Sequence, residues 1–309
     1  MLPPSLRTGA LAIIVFASPC VIWSEGEKKE VPEESRANDK LGKELETIYL
    51  AWKDSIETGN IEKWVANSTR FSRRSIRNAI VSRKMDFPDA FFENPIRPPS
   101  LVGLKFIHAL AVGETAQAVY FGRADFQLSD SAADVPNSLL VLRFLKEADG
   151  WKFDSTQLLS LAGMTDLEAK IRAGDYAFLD DDLFIPPGEG PEIPELCPIP
   201  EVAGHFDLVS IGYETTVYVN GFAQPTIANN GGSHILLGGL KRGFNKIVIR
   251  SKKVPPPVAE DGTRPESFLE FNVYAIRESG GTEKSEHLYR YAPDKVTGNF
   301  MMQIRGDGG

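Results

Sequence analysis

The sequence predicts an α+β domain, with helices on one face of a curved antiparallel sheet, followed by an all-β sandwich. The first observation is a change of period, because apolar residues recur at helical spacing from Leu41 to Met85 and then alternate from Leu104 onward. The second is that no helical stripe follows residue 202, where short apolar runs alternate with glycine- and proline-rich loops. The third is an acidic, proline-rich stretch at 165–201, which separates the two patterns.

The first domain is predicted over 41–164. Its opening helix carries one apolar stripe and ends at Gly59, a residue typical of helix C-termini. Two shorter helices follow near 61–65 and 72–85, and Pro88 ends the helical region. An antiparallel meander then fills the rest of the domain. Its strands are predicted at 104–112, 115–127, 138–146 and 151–159.

The last two of these strands form the segment LLVLRFLKEADGWKFDSTQLL, in which Asp149-Gly150 makes the turn. Together with a long first helix ending in ETGNIEKW, this segment resembles the nuclear transport factor 2-like superfamily. The resemblance implies a cone-shaped domain with an internal pocket. That superfamily includes ketosteroid isomerases, epoxide hydrolases, polyketide cyclases and many proteins without activity, so the fold alone does not choose a function.

An enzyme of that shape needs ionisable groups inside the cone, with pKa values shifted by burial. The candidates are His108 or Asp125 as a general base and Arg143 as the holder of an anionic group, with Trp52 in the same pocket or filling it. The alternative is that His108 is a hydrogen-bonded core histidine and Arg143 a buried ion-pair partner. We favour the alternative, because no paired carboxylates or Tyr–Asp couple occur at a recognisable spacing.

A run of basic residues lies on one predicted helix face, formed by Arg70, Arg73, Arg74 and Arg77. It has three interpretations: an anion-binding or membrane-surface patch, a solvated face, or a face that docks the acidic bridge of the same chain. The bridge, residues 165–201, contains 10 acids and 2 bases. Charge complementarity therefore favours docking. A capped helix is predicted from Thr165 to about Ala173, and an extended solvated linker after it.

The second domain, residues 202–309, is predicted to be a β-sandwich. The segments TTVYVNGFAQPT and ILLGGLKRGFNKIVIR resemble the galactose-binding-like jelly rolls attached to glycoside hydrolases. The resemblance implies an accessory module, and carbohydrate would meet aromatic side chains such as Tyr213, Tyr218 and Phe222. The other interpretation is that these aromatics belong to the core. Strands are predicted at 206–211, 215–219, 235–237, 245–250, 268–276 and 300–304.

The first residues predict an export signal: a basic start, an apolar run from Ala10 to Ala17, and an abrupt polar change after Ser24. The apolar region is shorter than the roughly 20 residues of a membrane span, so we expect cleavage after residue 24 and a charged tether at 25–40. An uncleaved anchor and lipidation of Cys20 are the alternatives. The predicted location is secreted or periplasmic, with membrane contact only if the N-terminus is retained or lipidated.

Composition narrows the functional classes. The net charge is −8, but it comes from the bridge, which leaves both predicted domains near neutral and argues against a nucleic-acid binder. The 4 histidines and 2 cysteines show no ligand spacing, so neither a metal nor a cofactor is predicted. The sequence favours an exported, non-catalytic protein that binds a small ligand or a protein partner. The alternatives are a small-molecule enzyme of isomerase, cyclase or hydrolase type using the cone, and a carbohydrate-binding accessory protein using the sandwich.

Overall fold

A computed structural model describes residues 39–93, 97–126, 135–258, 262–279 and 282–307. The predicted signal peptide and nearly all of the charged tether lie outside these residues. The coarse fold prediction is confirmed: the described chain is mostly antiparallel β-structure, in two separate sheets, with five α-helices. Its helices include none with the length and apolarity to cross a bilayer. The chain divides into two compact units, Met1–Ile76 with Pro88–Pro194, and Arg77–Phe87 with Glu195–Gly309.

Helices open the first unit. The longest, α1, buries the predicted stripe of Leu45, Tyr49, Trp52 and Ile56. Asn60 begins the next helix, because its side chain accepts a hydrogen bond from the Lys63 amide at 2.9 Å. The four helices are α1 Asp39–Thr58, α2 Ile61–Asn67, α3 Arg70–Ser82 and the short α4 Asp89–Phe92. The sequence predicted the first three and missed α4, a single turn too short to show a period.

The first sheet pairs its strands in sequence order, each antiparallel to the next. The strands are β1 Lys105–Val112, β2 Thr115–Gly122, β3 Ser138–Glu147 and β4 Gly150–Ser160. Two irregularities matter for the side chains. The β1–β2 register shifts between Phe106 and His108, and the β3–β4 register shifts opposite Asp154. A bulge inserts one extra residue and redirects the side chains beyond it.

Each face of this sheet is covered. On one face, the Trp52 ring of α1 packs against Phe153 of β4 with centroids 4.2 Å apart, and Phe144 lies 5.7 Å beyond. The opposite face is covered by α5 Thr165–Ala173 and two 3₁₀ helices, Ala177–Asp180 and Asp182–Phe184. The core of that second face joins strand residues to Ile171 and Phe184.

The bridge therefore differs from its prediction. The predicted helix is present, and Gly174 in the left-handed region ends it. The chain after Gly174 does not extend through solvent, because Phe184, Pro186 and Gly188 are buried within the first unit. The Gly188 amide donates to Thr115 Oγ1 at 3.0 Å, and its carbonyl accepts from the Glu114 amide at 2.7 Å. Apolar residues between the acids hold the segment on the sheet.

The second sheet is organised by one long strand, β5 Gly204–Val219, which the sequence divided into two. The other strands are β6 Phe222–Ala223, β7 Ile227–Ile235, β8 Phe244–Lys253, β9 Phe268–Ser279, β10 Thr282–Tyr291 and β11 Asn299–Arg305. The first half of β5 pairs with β7 and β9, and its second half pairs mainly with β8. The strand order is β10-β9-β5-β8-β11, with β6 and β7 also on β5.

Alternate residues of this sheet all face one apolar core, so the sheet folds over that core. Val217, Val219, Ile247 and Ile249 are among its buried members, as the alternation predicted. Asn245, of the GFNKIVIR segment, is fully buried. Its side chain accepts from the Asn220 side chain and the Lys241 amide, and donates to the Lys241 and Gly243 carbonyls. These bonds fix the loop before β8 to the β5–β6 turn.

The second unit includes the last part of α3. Asn78 is buried there. Its Oδ1 accepts from the Cys197 amide at 3.0 Å and its Nδ2 donates to the Glu195 carbonyl at 2.7 Å, so the side chain satisfies the main chain at 195–197 as a neighbouring strand would. Ser82 Oγ accepts from the Gly238 amide at 2.8 Å. Cys197 itself is buried.

Candidate functional site

The first unit contains an open cleft of about 640 Å³ between the start of β1, the end of β2, and α5. This volume lies in the range of small-molecule sites. Its lining carries three cationic side chains, one amide and an aromatic ring. The lining residues are Val102, Gly103, Lys105, Phe121, Gly122, Arg123, Asn137 and Arg172.

Two glycines shape the wall beside β2. Gly103 has φ +83 in a tight turn in which the Leu104 amide donates to the Leu101 carbonyl at 3.1 Å. Gly122 has φ +149, and a Cβ on it would lie 2.8 Å from the Leu104 side chain. A larger residue at 122 would therefore be strained in its backbone and would displace the Leu104 side chain.

Arg172 and Asn137 are held in place by one carboxylate. Glu168 Oε1 accepts from Arg172 Nη2 at 2.7 Å and from Asn137 Nδ2 at 2.7 Å. The Arg172 guanidinium also lies 5.3 Å above the Phe121 ring, which is buried in the core of that face. These contacts keep the guanidinium over the apolar floor of the cleft and reduce the entropy that a ligand would have to remove.

Lys105 and Arg123 complete the charge. Lys105 pairs with Phe121 in the β1–β2 register, and its Nζ lies 5.6 Å from the Tyr176 ring. The Lys105 and Arg123 side chains are both exposed. With Arg172 they give three positive charges against the single charge of Glu168. The lining side chains offer hydrogen-bond donors and a net positive field, an arrangement that binds carboxylates or phosphates.

The residues predicted from the cone resemblance do not meet in this cleft. The bulge in β1 separates His108 from Phe106: His108 pairs with Val119, whereas Phe106 pairs with Tyr120, whose ring lies 5.5 Å from that of Phe106. Arg143 shares the Val119 face and donates to Gln157 Oε1 at 2.6 Å. His108 and Arg143 thus lie on the face that α5 covers, two strands apart.

Trp52 lies on the other face. It belongs to an aromatic group with Tyr49, Phe144 and Phe153, and it is 4 % exposed. Burial raises the pKa of the Tyr49 hydroxyl above its usual range, and that hydroxyl donates to the Pro99 carbonyl at 2.7 Å. Aromatic side chains therefore fill this part of the helical side. Asp125 lies half-buried in the segment after β2.

Sequence reasoning missed a buried carboxylate, Asp154. It occupies the extra position of the β4 bulge and accepts from Thr69 Oγ1 at 2.6 Å. Thr69 Oγ1 also accepts from the Ser72 amide at 2.9 Å, so it caps α3. Burial raises the pKa of Asp154, and this effect outweighs the opposing hydrogen bonds of Thr69 and Ser155 and the charge of Arg143. No pattern in the sequence pointed to Asp154, because the alternation of apolar and polar residues along a strand does not reveal where a bulge inserts an extra residue.

The predicted arginine surface of α3 contacts the bridge, but these arginines bind main-chain carbonyl oxygens and not the acidic side chains. Arg74 Nη1 donates to the Pro194 carbonyl at 3.1 Å, within the first unit. Arg77 Nη1 donates to the Cys197 carbonyl at 2.6 Å, within the second. Arg73 donates to the Val65 and Ser68 carbonyls at the end of α2, and the Arg70 amide donates to Glu147 Oε1 at 2.6 Å. Proline lacks an N–H and leaves neighbouring carbonyls without backbone donors, which explains the arginine contacts.

The predicted aromatic face of the sandwich is not assembled as a platform. Tyr213 packs against the core, and the Arg250 guanidinium covers the Tyr218 ring at 4.7 Å. Phe222 pairs with Val219, whose side chain is in the core. Among the described residues, no group of three His, Cys, Asp or Glu side chains is arranged to hold a metal ion.

Comparison with protein-family models, with curated proteins and with solved structures finds no match to this chain.

Proposed function

We propose that this chain is an exported, non-catalytic two-domain binding protein that holds a small anionic ligand in the cleft of its first unit. The observation that carries the proposal is the convergence of Lys105, Arg123 and Arg172 on one open cleft of about 640 Å³. The finer fold assignment is part of the proposal: a cone-shaped α+β domain followed by a sandwich. It is supported by α1 packed on one face of a four-stranded antiparallel sheet and by a second sheet folded over one core.

The ligand would combine a carboxylate or phosphate with a small apolar part. The cationic side chains and Asn137 supply donors for the anionic group, and Val102 and Phe121 supply apolar surface. Arg172 presents a planar guanidinium, which suits two oxygens of one anionic group.

The described interior of the helical side supports binding over catalysis. Trp52, Tyr49 and Phe153 fill space that a substrate in a cone would need. His108 lies on the opposite face, so it and Trp52 do not share a pocket. For the sandwich, Tyr213 and Tyr218 are engaged with the core and with Arg250, which gives carbohydrate binding less support than the cleft gives anion binding.

The test is calorimetric titration of the full chain with inorganic phosphate, citrate and phenyl phosphate at low ionic strength. At least one probe is expected to bind, with a dissociation constant in roughly the micromolar to millimolar range. Lys105→Ala and Arg123→Ala should each weaken binding by about 5- to 10-fold, because each removes one charged donor worth about 1–1.4 kcal/mol.

Lys63→Ala is the matched control, since Lys63 is an exposed cation paired with Asp54 outside the cleft. Its titrations should match those of the wild type. The proposal fails if none of the three probes binds, or if the double variant Lys105→Ala/Arg123→Ala binds them as tightly as the wild type does.

A further inference from the structure

The second unit carries a surface that the cleft does not involve, here called the basic face. It is the outer side of β8 and β11 together with the second half of β5. Strand alternation defines it, because Asn245, Ile247 and Ile249 point into the core while the residues between them point outward. The register brings Val248 beside both Tyr218 and Met301, and Phe244 beside Arg305. The basic face comprises Thr216, Tyr218, Phe244, Lys246, Val248, Arg250, Met301, Gln303 and Arg305.

The charge of this face is opposite to that of the whole chain, which carries −8. Lys246 and Arg250 lie on it, and Lys241 and Arg242 lie in the loop that leads into β8. Within the described part of the chain, no ion pair joins any of these four side chains to a carboxylate. Two nearby acids have other partners: Asp307 binds Arg305 through two contacts, and Glu201 accepts from the Arg242 amide. Glu214 lies opposite Lys252 in the β5–β8 register.

Large apolar side chains stand among these charges. Phe244 is 67 % exposed and Met301 is 62 % exposed, although both lie in regular strands. Arg305 lies 5.7 Å from the Phe244 ring, and Arg250 lies 4.7 Å from the Tyr218 ring. Exposed aromatic and apolar side chains between basic ones are typical of surfaces that enter the headgroup region of a bilayer.

The loop that leads into β8, just before Phe244, is held firmly. The fully buried side chain of Asn245 binds Lys241 and Gly243 on one side and Asn220 on the other. The Lys246 amide adds a bond to Asn220 Oδ1 at 3.1 Å. Because the backbone beside Phe244 is already fixed, little backbone entropy is lost when Phe244 binds a partner.

We propose that the basic face docks the protein on an anionic phospholipid bilayer, with the lipid phosphates meeting Lys246 and Arg250 and with Phe244 entering the headgroup region. Charge complementarity selects an anionic partner. The exposed Phe244 and Met301 select a bilayer over a soluble polyanion, because a polyanion offers charge without an apolar phase. This inference does not depend on the anion cleft, which lies in the other unit.

The test is co-flotation of the full chain with vesicles of phosphatidylcholine alone and with vesicles containing about 30 mol% phosphatidylglycerol. Binding is expected only to the anionic vesicles, and it should fall steeply as salt is raised. Lys246→Glu/Arg250→Glu should reduce the partition coefficient by at least about 10-fold, since each reversal replaces attraction with repulsion. Phe244→Ser should reduce it about 5- to 10-fold with the salt dependence unchanged.

Lys284→Glu is the matched control, because Lys284 is an exposed cation on β10 outside the basic face. It should leave vesicle binding unchanged. Single Lys246→Glu repeats the test with a smaller perturbation, and far-ultraviolet circular dichroism verifies that each variant is folded. Equal partition into both vesicle types, or unaltered binding by the charge-reversal variants, overturns the proposal. Binding to heparin without binding to vesicles also overturns it and indicates a soluble polyanion as partner.

Discussion

At the scale of single residues, Asp154 shows how a strand irregularity creates a polar site inside a core. The carboxyl group lies in the β4 bulge, where it accepts the Thr69 hydroxyl that caps α3. Burial favours its neutral form more than Thr69, Ser155 and Arg143 favour the charged form, and nearby Glu147 acts in the same direction as burial. The pKa of Asp154 is therefore raised in the folded chain.

A raised carboxyl pKa has a definite sign in stability. Below the unfolded pKa of about 3.8, the group is protonated in both states and has no effect on the free energy of unfolding. As the pH rises toward the folded pKa, the unfolded chain loses its proton first, and the folded state is progressively destabilised. Asp154→Asn should consequently be more stable than the wild type at neutral pH, and the difference should shrink as the pH falls toward about 4.

The measurement is urea denaturation of both proteins from acid to neutral pH, followed by circular dichroism. Asp154→Leu is the companion variant, because it removes the carboxyl and also the acceptor for Thr69. Compared with Asp154→Asn it should lose about 1–3 kcal/mol at every pH, since the Thr69 hydroxyl is left with a buried donor hydrogen that has no acceptor. A difference between Asp154→Asn and the wild type that stays constant with pH contradicts the assigned pKa shift.

At the scale of elements, the sequence predicted what periodicity encodes. The α1 stripe and the alternation in β3, β4, β8 and β9 each correspond to an element in the structure. Bulges were not predictable, because alternation alone cannot reveal an inserted residue. The bulge between Phe106 and His108 moved His108 off the face that its parity had assigned to it.

The cleft could not be predicted from the sequence either, but the reason is different. Lys105, Arg123, Asn137 and Arg172 come from four separate segments of the chain, and only strand register and the packing of α5 bring them together. A surface site of this kind has no local signal.

The turn between β1 and β2 is the element that anchors the bridge. Gly113 has φ +55, and a Cβ on it would lie 2.3 Å from the Gly188 carbonyl oxygen. That carbonyl accepts from the Glu114 amide. Gly113→Ala should therefore lower the free energy of unfolding by roughly 2–4 kcal/mol, from backbone strain and from the displaced bridge together.

Gly59→Ala separates the two contributions. Gly59 has φ +64 with open space around its Cβ position, so this variant should lose only the strain of about 1–2 kcal/mol. Hydrogen exchange of a peptide covering 185–190 gives the second measurement, with faster exchange expected in Gly113→Ala and unchanged exchange in Gly59→Ala. Equal destabilisation by the two variants, with equal exchange, would show that the Gly188 contact does not stabilise the bridge.

At the scale of the whole molecule, the units are not contiguous in sequence. Composition placed domain boundaries at 164 and 202, because those are the points where the pattern changes. The first unit continues to Pro194, and the second includes Arg77–Phe87. A helix that supplies residues to a distant segment leaves no trace in composition, since Asn78 and Ser82 look like ordinary polar helix residues.

A fragment cut at the predicted boundary, residues 202–309, should therefore be destabilised. It lacks the Ser82 hydroxyl that accepts the Gly238 amide and the Glu201 carboxylate that accepts the Arg242 amide. It also lacks the segment around Cys197, which Asn78 holds in the full chain. At about 0.5–1.5 kcal/mol net for each of the two broken bonds, the loss is roughly 1–3 kcal/mol, a substantial part of the stability of a domain of this size.

Hydrogen exchange of β5 and β9 peptides measures this loss, because both strands belong to the second core and can be followed in the full chain and in the fragment alike. Exchange should be at least about 5-fold faster in the fragment, and intermediate in full-length Asn78→Ala. Thr47→Ala, on the exposed side of α1, should leave it unchanged. Equal protection in the fragment and the full chain would mean that residues 77–87 add nothing to the second unit. If exchange is faster in the fragment, ligand tests on the sandwich must use the full chain, since a negative result with 202–309 alone would report unfolding and not specificity.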